Sequence, residues 1–531
     1  MADSEEYDIV VVGGGSGGSA AAGRLSEGGK YSVCLIESGG HNNIFPVKAP
    51  GMMPFIPDKS NYRYETVPQT GLNGRIGYQP RGRGLGGSSA INAMVYIRGC
   101  KWDYDNWAAM GATSWGYDDV LPYFKRAEHN ERGGDAYHGT TGPLNVMDQH
   151  YPHPGSAEFI EAAASLQFPR TNDFNGAQFE GIGMYQVTQK GGERWSAARA
   201  YVEPARNAGR LHVMTDTLVE RIGFEGNRAT TVHTRRGRTA GQVRARRAIV
   251  LAGGVFGTAQ TLMLSGIGPA DHLRANGVDV LVDRPAVGSN LHDHIDYVSG
   301  YETPGMYFLG QTLRGNFQSL LGIFEWLRKR SGPLTTPYAE AGGFAKTRPD
   351  IDVPDVQFHF VPVLLEDHGR TKVKAHGFSC HVCVLRPYSR GTLRLAGPDP
   401  ATAPLIDPAF LTDDRDVQTL LAGMKLMNRI LESAPLARHG GRDRHTAGVT
   451  EDAALIEIIR NRADTVYHPV GTARMGSDAE AVVDPQLRVR GVEGLYVADA
   501  SVMPQVVSGN TNAPSIMIGE RCADFVKAAL G

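Results

Sequence analysis

Tyr7-Asp-Ile-Val-Val-Val12 leads directly into Gly13-Gly-Gly-Ser-Gly-Gly18, and this junction decides the fold. The apolar, β-branched run predicts a buried strand, and the small residues from Ser19 to Leu25 predict a helix packed closely against it. A second strand, Ser32 to Glu37, follows at once. Strand, tight turn, helix and strand in this order are typical of a parallel sheet covered on both faces. The sequence therefore predicts an α/β fold with a doubly wound, Rossmann-like domain.

The glycine loop has the spacing of a dinucleotide-binding site. Gly13 allows the tight turn, Gly15 lets the backbone approach a pyrophosphate, and Gly18 allows the helix to pack closely on the strand. The helix N-terminus near Ser16 stabilises the anion, and Glu37 closes the second strand, where a carboxylate can bind ribose hydroxyls. We predict that Gly13, Gly15, Ser16, Gly18 and Glu37 bind a dinucleotide. A glycine-rich turn that binds nothing is the alternative.

Both NAD and FAD fit such a loop. FAD is favoured because no second Gly-x-Gly-x-x-Gly serves a nicotinamide cofactor; the nearest candidate, Gly253-Gly-Val-Phe-Gly257, has the wrong spacing. A flavin that stays on the protein has to receive its electrons from the substrate itself. The sequence therefore predicts an FAD-dependent oxidoreductase.

The composition of the 531 residues, 41% hydrophobic and 21% charged, predicts two or three packed domains of an ordinary globular protein. A formal net charge of -2 gives no reason to expect nucleic acid as a partner. Five scattered cysteines indicate no disulfide framework, and no apolar stretch reaches the roughly 20 residues of a membrane span. We expect a cytoplasmic protein without an integral membrane segment. Peripheral association with the inner membrane stays open.

Strands followed by loops, of the kind found in nucleotide-binding domains, occur at the start, in the middle and near the end of the chain. One buried strand ends at Leu251, before Gly253, and another covers Leu495 to Ala498. Between them, residues 355–362 and 378–385 alternate with a period of two, which predicts a sheet with one covered face. We predict two discontinuous domains: an FAD-binding domain of residues 1–155, 211–300 and 461–531, and a substrate-binding or cap domain of residues 156–210 and 301–460.

Several longer blocks resemble one enzyme family. Gly82-Arg-Gly-Leu-Gly-Gly-Ser-Ser-Ala-Ile-Asn92 resembles the first signature of the glucose–methanol–choline (GMC) oxidoreductases. Gly253 to Pro269 is a looser match, whereas Tyr467-His-Pro-Val-Gly-Thr472 and Ser508-Gly-Asn-Thr-Asn-Ala-Pro514 resemble the C-terminal blocks closely. The chain is most similar in character to bacterial alcohol, choline, sorbose and polyethylene-glycol dehydrogenases. The resemblance implies an FAD domain and a substrate domain whose antiparallel sheet lies over the flavin.

The resemblance also implies which residues contact the cofactor. They are Gly86, Gly87 and Ser88 beside the pyrophosphate and flavin, Asn92, Ala93, Met94 and Val95 at the isoalloxazine edge, Val219 at the adenine, and Asp499, Ala500 and Thr511 on the pyrophosphate and ribityl side. Some family members attach FAD covalently through a histidine directly before the asparagine. Here that position is Ile91, so we expect non-covalent FAD.

His468 and Asn510 match the family's catalytic pair. Oxidation of an alcohol requires loss of the hydroxyl proton and transfer of a hydride from the adjacent carbon to flavin N5. A histidine, with an unperturbed pKa of about 6.5, can be neutral at working pH and accept the proton. An amide can bind the oxygen but is no base. We therefore predict that His468 is the base and that Asn510 positions the substrate.

Three further groups carry chemically versatile side chains. His292-Asp-His294 has a metal-like composition, and Cys380-His-Val-Cys383 has redox-motif spacing inside a strand pattern. Because neither has a second ligand set or partner pair, we predict no metal site and no reactive thiol there. Gln357 and His359 share one face of their strand, and we predict that they line the substrate site. Periodicity leaves open which face of that strand overlooks the flavin.

The predicted reaction is the oxidation of an alcohol, most simply a primary one, to the aldehyde. A quinone-like acceptor or O2 then takes the electrons, and a dehydrogenase is favoured over an oxidase. One alternative is a hydroxynitrile-lyase-like enzyme, in which the same fold holds a redox-silent FAD. Another is a flavin-binding protein without catalysis, against which the presence of both His468 and Asn510 argues.

Overall fold

A computed structural model of the chain describes residues 5–310 and 312–531, without the side chains of residues 313–319 and 368. Residues 1–4 and 311, which the predicted domain ranges include, lie outside the described residues. The strands in chain order are β1 (Glu5–Val12), β2 (Val33–Ile36), β3 (Tyr64–Glu65), β4 (Tyr78–Gln79), β5 (Glu128–Asn130), β6 (Leu144–Val146), β7 (Gly181–Met184), β8 (Gln189–Lys190), β9 (Glu193–Arg194), β10 (Leu211–Met214), β11 (Leu218–Glu225), β12 (Arg228–Arg236), β13 (Thr239–Leu251), β14 (Ile267–Gly268), β15 (Val282–Asp283), β16 (Ile295–Thr303), β17 (Ala341–Ala345), β18 (Val356–Val361), β19 (His376–Val384), β20 (Thr392–Arg394), β21 (Leu405–Asp407), β22 (Arg442–Asp443), β23 (Asp464–Thr465) and β24 (Leu495–Val497).

The α-helices in chain order are α1 (Ser16–Leu25), α2 (Phe45–Lys48), α3 (Lys101–Ala109), α4 (Tyr117–Ala127), α5 (Pro154–Ser165), α6 (Glu203–Asn207), α7 (Gly254–Leu264), α8 (Ala270–Ala275), α9 (Leu313–Lys329), α10 (Asp414–Leu431), α11 (Ala434–Ala437), α12 (Asp452–Arg462) and α13 (Asn512–Leu530). A π-helix covers Ala198–Val202, and short 3-10 helices cover Glu27–Gly29, Pro50–Phe55, Asp58–Ser60, Thr70–Leu72, Gly87–Ala90, Pro333–Thr335, Asp367–Gly369 and Ala500–Val502.

The first sheet carries the glycine loop. Within the described residues it has seven strands in the order β10-β2-β1-β13-β12-β11, with β24 also paired to β13. Strands β10, β2, β1, β13 and β24 run parallel, whereas β12 and β11 extend the sheet in antiparallel fashion. Ile9, Val10 and Val11 of β1 are fully buried. A continuous apolar run of this kind is what a parallel strand covered on both faces requires, as the sequence predicted.

Helices α1 and α13 cross at two glycines. A Cβ added at Gly519 would lie 2.1 Å from the carbonyl oxygen of Gly17, so the two backbones touch. Ala20 and Ile516 of these helices belong to the same apolar core as β1 and β13. Helix α1 begins at Ser16, three residues earlier than the sequence predicted.

The second sheet is antiparallel, in the order β22-β16-β19-β18-β17-β7, with β23 paired to β16. Strands β18 and β19 are buried along their whole length, so the prediction of one covered face is wrong. Phe358 and Phe360 pack on one side with residues of α10, whereas Gln357 on the other side reaches Asn510. The alternation in the sequence therefore reflects two buried faces, one packed against apolar side chains and the other against polar ones. It does not reflect a core face and a solvent face.

The predicted fold class is confirmed: an α/β fold with a parallel, doubly wound sheet and a second, antiparallel sheet with helices. Strands β16 and β23 of the second sheet begin at Ile295 and Asp464, inside ranges that we predicted for the FAD domain. The domain boundaries stay a prediction. Among residues 5–310 and 312–531, no helix has both the length and the apolar character needed to span a bilayer.

Candidate active site

The carboxyl ends of the parallel strands meet around the glycine loop. The backbone N–H groups of Gly13, Ala252 and Ala498 donate to the last residues of β2, β1 and β13, with N···O distances of 2.7 to 2.8 Å. These hydrogen bonds hold the loops that follow β1, β13 and β24 next to one another at the same end of the sheet. Open parallel sheets bind their ligands in a crevice at this edge.

Three glycines of the loop have different surroundings. Gly13 has a φ of +101°, and a Cβ there would lie 2.3 Å from the oxygen of Ala252. A Cβ at Gly18 would lie 1.9 Å from the oxygen of Gly13, so neither position accepts a side chain. Around Gly15, by contrast, an added Cβ meets no protein atom within 4 Å. The backbone at Gly15 therefore faces open space at the N-terminus of α1, which fits the pyrophosphate of a dinucleotide.

Glu37 ties the loop to the segment that follows residue 82. Its Oε2 accepts a hydrogen bond from the N–H of Gly14 at 2.8 Å. Its Oε1 accepts from the N–H groups of Gly39 and Gly84, both at 2.9 Å, and from the hydroxyl of Ser38. A carboxylate has about four acceptor positions, two on each oxygen. Among the described residues Oε2 accepts only the bond from Gly14, so this oxygen can also accept a hydrogen bond from a ribose hydroxyl, as predicted.

The segment from Gly86 to Val95 lies directly on the glycine loop. The N–H of Gly86 donates to the oxygen of Gly14 at 2.8 Å, and a Cβ at Gly87 would lie 2.7 Å from the Cα of Gly15. Further along, Asn92 Oδ1 accepts from the N–H of Met94, which has a φ of +60°. This left-handed residue turns the backbone between Ala93 and Val95. Ser88 accepts from the N–H of Gly82 through its hydroxyl.

The other predicted cofactor residues are Asp499, Ala500, Thr511 and Val219, and Asp499 is fixed at this edge by its side chain. Asp499 accepts from the N–H of Gly254 at 3.0 Å, from the hydroxyl of Thr258 at 2.6 Å and from the N–H of Ser501 at 2.8 Å, so it fixes the loop after β24, including Ala500, against α7. Thr511 precedes the first residue of α13, and Val219 lies in β11, whose entry residue Thr217 donates to the oxygen of Glu37. Their contacts with FAD stay a prediction.

His468 lies on the loop after β23 with 8% of its surface exposed. Its backbone N–H donates to Asp293 Oδ1 at 2.7 Å. The preceding residue, Tyr467, has a φ of +75°, and its oxygen accepts from the Arg81 guanidinium at 3.1 Å. A bulky residue with positive φ costs about 1–3 kcal/mol and persists only where its surroundings enforce it. The loop is therefore held in a conformation that aims the imidazole.

A chain of hydrogen bonds determines which nitrogen of His468 carries the proton. His294 Nε2 lies 3.0 Å from the carbonyl oxygen of Leu385, to which it has to donate. In a neutral imidazole, His294 Nδ1 is then an acceptor, and it lies 3.0 Å from His468 Nδ1. His468 Nδ1 therefore carries the hydrogen. Its Nε2 keeps the lone pair and is the basic nitrogen.

Both histidines are neutral at physiological pH. Burial, together with the nearby His294, His359 and Arg81, holds the pKa of His468 well below its ordinary value of 6.5. Burial, with the Arg386 guanidinium close by, lowers the pKa of His294 to about 3. A neutral His468 with its lone pair on Nε2 can accept a proton, which is the chemistry the sequence predicted for it.

Asn510 lies between His468 and the second sheet. Its Nδ2 lies 3.2 Å from His468 Nε2, and its Oδ1 accepts from Gln357 Nε2 at 3.3 Å. The structure thus brings Gln357 together with the two predicted catalytic residues. Oε1 of Gln357 and both ring nitrogens of the adjacent His359 are buried, and within the described chain they have no hydrogen-bond partner of normal geometry. Buried polar atoms of this kind are rare, which makes them candidates for substrate contact.

Sequence reasoning considered the His-Asp-His triplet as a metal site, predicted none there, and missed Asp293 and His294 as partners of His468. In the structure the three residues have different hydrogen-bond partners. His292 bonds the oxygen of Asn290 and the N–H of Val506, whereas Asp293 and His294 both bond His468. Their one local signal was the placement of the triplet directly before a strand. Within the described residues no group of three or more His, Cys, Asp or Glu side chains could hold a metal ion.

Known proteins share this whole architecture. Residues 7–296 match the N-terminal sequence model of the family described as GMC oxidoreductase, and residues 387–519 match its C-terminal model. Both models cover parts of the active site, since His294 lies in the first match and His468 and Asn510 lie in the second.

Similar proteins extend over nearly the full chain. The chain is 41% identical to the alcohol dehydrogenase (acceptor) of Pseudomonas putida over 98% of its own length and 95% of that protein. It is 40% identical to the mitochondrial choline dehydrogenase of Homo sapiens, over 98% of the chain and 90% of that protein. The crystal structure of pyridoxine 4-oxidase from Mesorbium loti superposes with a TM-score of 0.87 at 31% identity, covering 97% of this chain and 98% of the other.

Proposed function

The chain belongs to the GMC oxidoreductase family of FAD-dependent enzymes that act on CH–OH donors, and from that premise we propose that it oxidises a primary alcohol to the aldehyde. The observation that carries the proposal is the lone pair on His468 Nε2, fixed by the hydrogen-bond chain from Leu385 through His294. One polar site brings together this nitrogen, the amide of Asn510 and the buried side chains of Gln357 and His359.

In the proposed reaction, the alcohol hydroxyl lies beside the hydrogen-bonded pair of His468 Nε2 and Asn510 Nδ2 and contacts both nitrogens. The amide hydrogen of Asn510 holds the alcohol oxygen, and His468 Nε2 takes the hydroxyl proton. His468 Nδ1–H stays bonded to His294, so the ring keeps its orientation as it becomes charged. When bound, FAD supplies the acceptor for the hydride that leaves the alcohol carbon.

We propose that the cofactor is held without a covalent bond. The position directly before Asn92 is Ile91, whose hydrocarbon side chain offers no nucleophile for attachment. Gly13, Gly15, Gly18, Glu37 and the segment from Gly86 to Val95 would hold the cofactor. Acid precipitation should therefore release the flavin into the supernatant, whereas flavin that stays with the pellet would contradict the proposal.

A quinone-like compound is the proposed electron acceptor, with O2 as the alternative, and the two alcohol and choline dehydrogenases named above support a dehydrogenase. Reoxidation of the alcohol-reduced enzyme under air and, separately, with a soluble quinone analogue would decide between the two acceptors.

The five free, buried cysteines of the described chain support the predicted cytoplasmic location, because reducing compartments keep thiols free.

Anaerobic addition of a panel of primary alcohols tests the proposed function directly. At least one alcohol should bleach the flavin absorbance of the wild-type enzyme. The His468→Ala variant should retain bound FAD but reduce it at least about 100-fold more slowly, because general-base catalysis contributes about 100- to 10,000-fold. His150→Ala, which removes an exposed histidine, is the matched control and should leave the rate unchanged.

Two outcomes would contradict the proposal. If no alcohol bleaches the flavin, but the enzyme cleaves a hydroxynitrile, then the FAD is redox-silent and the enzyme is a lyase. If His468→Ala reduces its flavin at the wild-type rate, another group is the base.

A further inference from the structure

Helix α9 displays large apolar side chains to solvent. Leu320, Leu321, Phe324 and Leu327 are 48%, 53%, 63% and 53% exposed. On a helix with 3.6 residues per turn these four positions fall within an arc of about 120°. We call them the α9 stripe. A surface helix of a globular protein ordinarily turns such a stripe towards the core, so this exposure requires an explanation.

The opposite side of α9 is anchored firmly. Trp326 is 1% exposed, donates its Nε1–H to the oxygen of Gly192 at 2.8 Å and packs edge-on against Phe45. Arg330 lies over the Trp326 ring and pairs with Glu193 at 3.0 Å. Because this side already has its own buried contacts, the helix cannot rotate to bury the stripe. The exposed orientation is built into the packing.

Positive charge lies beside the stripe. Arg328 falls in the same arc as the apolar residues, and Lys329 follows it. Both side chains are exposed, and neither forms an ion pair with any described residue. Glu325, an acidic residue of this part of the helix, turns back to the hydroxyl of Ser331. The chain as a whole is slightly negative, so this cationic end is a local feature.

We infer that α9 docks on a phospholipid surface that carries negative charge. Apolar side chains with adjacent Lys and Arg are the pattern of a helix that lies in the membrane interface. A protein partner would need a far larger surface, since a standard interface uses roughly 20 residues a side. Phe55, 66% exposed, is a further solvent-facing aromatic residue on a neighbouring 3-10 helix, which packs through Met52 in the same small core as Trp326.

Vesicle binding of the FAD-loaded enzyme tests this inference. Phosphatidylcholine vesicles that contain phosphatidylglycerol should co-sediment the wild-type enzyme, more at low than at high salt. The double variant Leu321→Ser/Phe324→Ser should lower the bound fraction at least about tenfold. Arg328→Glu/Lys329→Glu should abolish the preference for the anionic vesicles. Leu281→Ser/Leu405→Ser, at residues 42% and 47% exposed elsewhere on the surface, should bind like the wild type.

Three results would overturn the inference. The wild-type enzyme could fail to bind anionic vesicles, or the stripe variant could bind as well as the wild type. Alternatively, molar-mass measurements could show a dimer that the stripe variant dissociates, in which case a second copy of the chain covers the stripe. All variants should oxidise alcohol with a soluble dye as acceptor at the wild-type rate. This assay separates the lipid surface from the proposed catalytic function, on which the inference does not depend.

Discussion

At the scale of single residues, the basic nitrogen of His468 is selected by a residue that lies far from it in sequence. Leu385 orients His294, and His294 orients His468. A tautomer imposed in this way places the lone pair on the atom that faces Asn510. His294 is thus a positioning residue, and its influence on the reaction is transmitted through one hydrogen bond.

Replacing His294 should slow the reduction of the flavin by alcohol without loss of bound FAD. In His294→Leu the Nδ1–H of His468 loses its acceptor, and loss of a buried hydrogen bond worth about 1.4 kcal/mol corresponds to about tenfold in rate. His294→Asn places an amide oxygen near the lost Nδ1 and should recover part of that rate. Stopped-flow measurement of flavin reduction, at equal FAD content and thermal stability, checks the pair of variants. Equal rates for His294→Leu and the wild type would refute the positioning role.

The same residues show what could be predicted from sequence and what could not. His468 and Asn510 stand in short, ordered blocks, so local sequence was enough to single them out. The partnership of His294 with His468 depends on the pairing of β16 with β23, which brings together two loops 174 positions apart in the chain. No local pattern encodes such a contact, and the neighbouring His292 made the triplet resemble a metal site.

At the scale of elements, the glycine loop separates two requirements that the sequence motif combines. Gly13 and Gly18 are glycines because protein atoms occupy the space of a side chain. Gly15 is surrounded by no such atoms and has an ordinary φ of -73°. Its lack of a side chain therefore serves the ligand and not the fold.

This distinction predicts a selective defect. Gly15→Ala should leave the free energy of unfolding of the apoprotein within about 0.5 kcal/mol of the wild type, because its backbone conformation suits alanine. The methyl group should nevertheless obstruct the pyrophosphate and raise the dissociation constant for FAD at least about tenfold. Fluorescence titration of the apoprotein with FAD, together with denaturant unfolding, measures both quantities.

Gly397→Ala is the matched control, since Gly397 also has no neighbour within 4 Å of an added Cβ and lies in a loop near β20. It should change neither the stability nor the affinity for FAD. A Gly15→Ala protein that binds FAD normally would show that the open space at Gly15 is not where the cofactor lies.

Strands were predicted correctly where an apolar run lies in a sheet that is covered in the same way on both faces. The first sheet follows its apolar runs, because protein covers both faces of residues 9–12 of β1 and residues 248–251 of β13. The prediction failed for strands β18 and β19, because periodicity indicates that the two faces differ without indicating what covers each face. The polar face is buried against the loops of His468 and Asn510, which come from other parts of the chain.

At the scale of the whole molecule, a buried network of polar side chains joins the surroundings of the two sheets. His138 bonds Glu128 of β5 through Nδ1 at 3.1 Å and Asp173, in the loop before β7, through Nε2 at 3.0 Å. Arg98 pairs with the same Glu128 at 2.7 Å. Burial alone would lower the pKa of His138, but the hydrogen bonds to Asp173 and Glu128 outweigh it and raise that pKa from 6.5 to about 9.

Because of this network, the free energy of unfolding of the enzyme should decrease as the pH rises into the alkaline range. Because the pKa of His138 is raised on folding, its contribution is complete below about pH 6.5 and is lost as the pH rises through about 9. His138→Gln should destabilise the protein by about 1–3 kcal/mol at pH 7 and flatten the dependence between pH 7 and pH 9.5. Thermal unfolding across this range tests the prediction, with the exposed His212→Gln as control. An unchanged slope in His138→Gln would assign the pH dependence to other groups.

The strand order of the first sheet also has a consequence for how the protein is made. Strand β1 leaves the ribosome long before the β24 strand and the α13 helix that complete its surroundings. At about 5–20 residues per second, synthesis from β1 to β24 lasts roughly 25 to 100 s. The surface of α1 that crosses α13 lacks its partner throughout this interval, and the edge of β13 lacks β24 for the second half of it. The edge of the sheet that carries the glycine loop is therefore complete only after β24 and α13 have been synthesised.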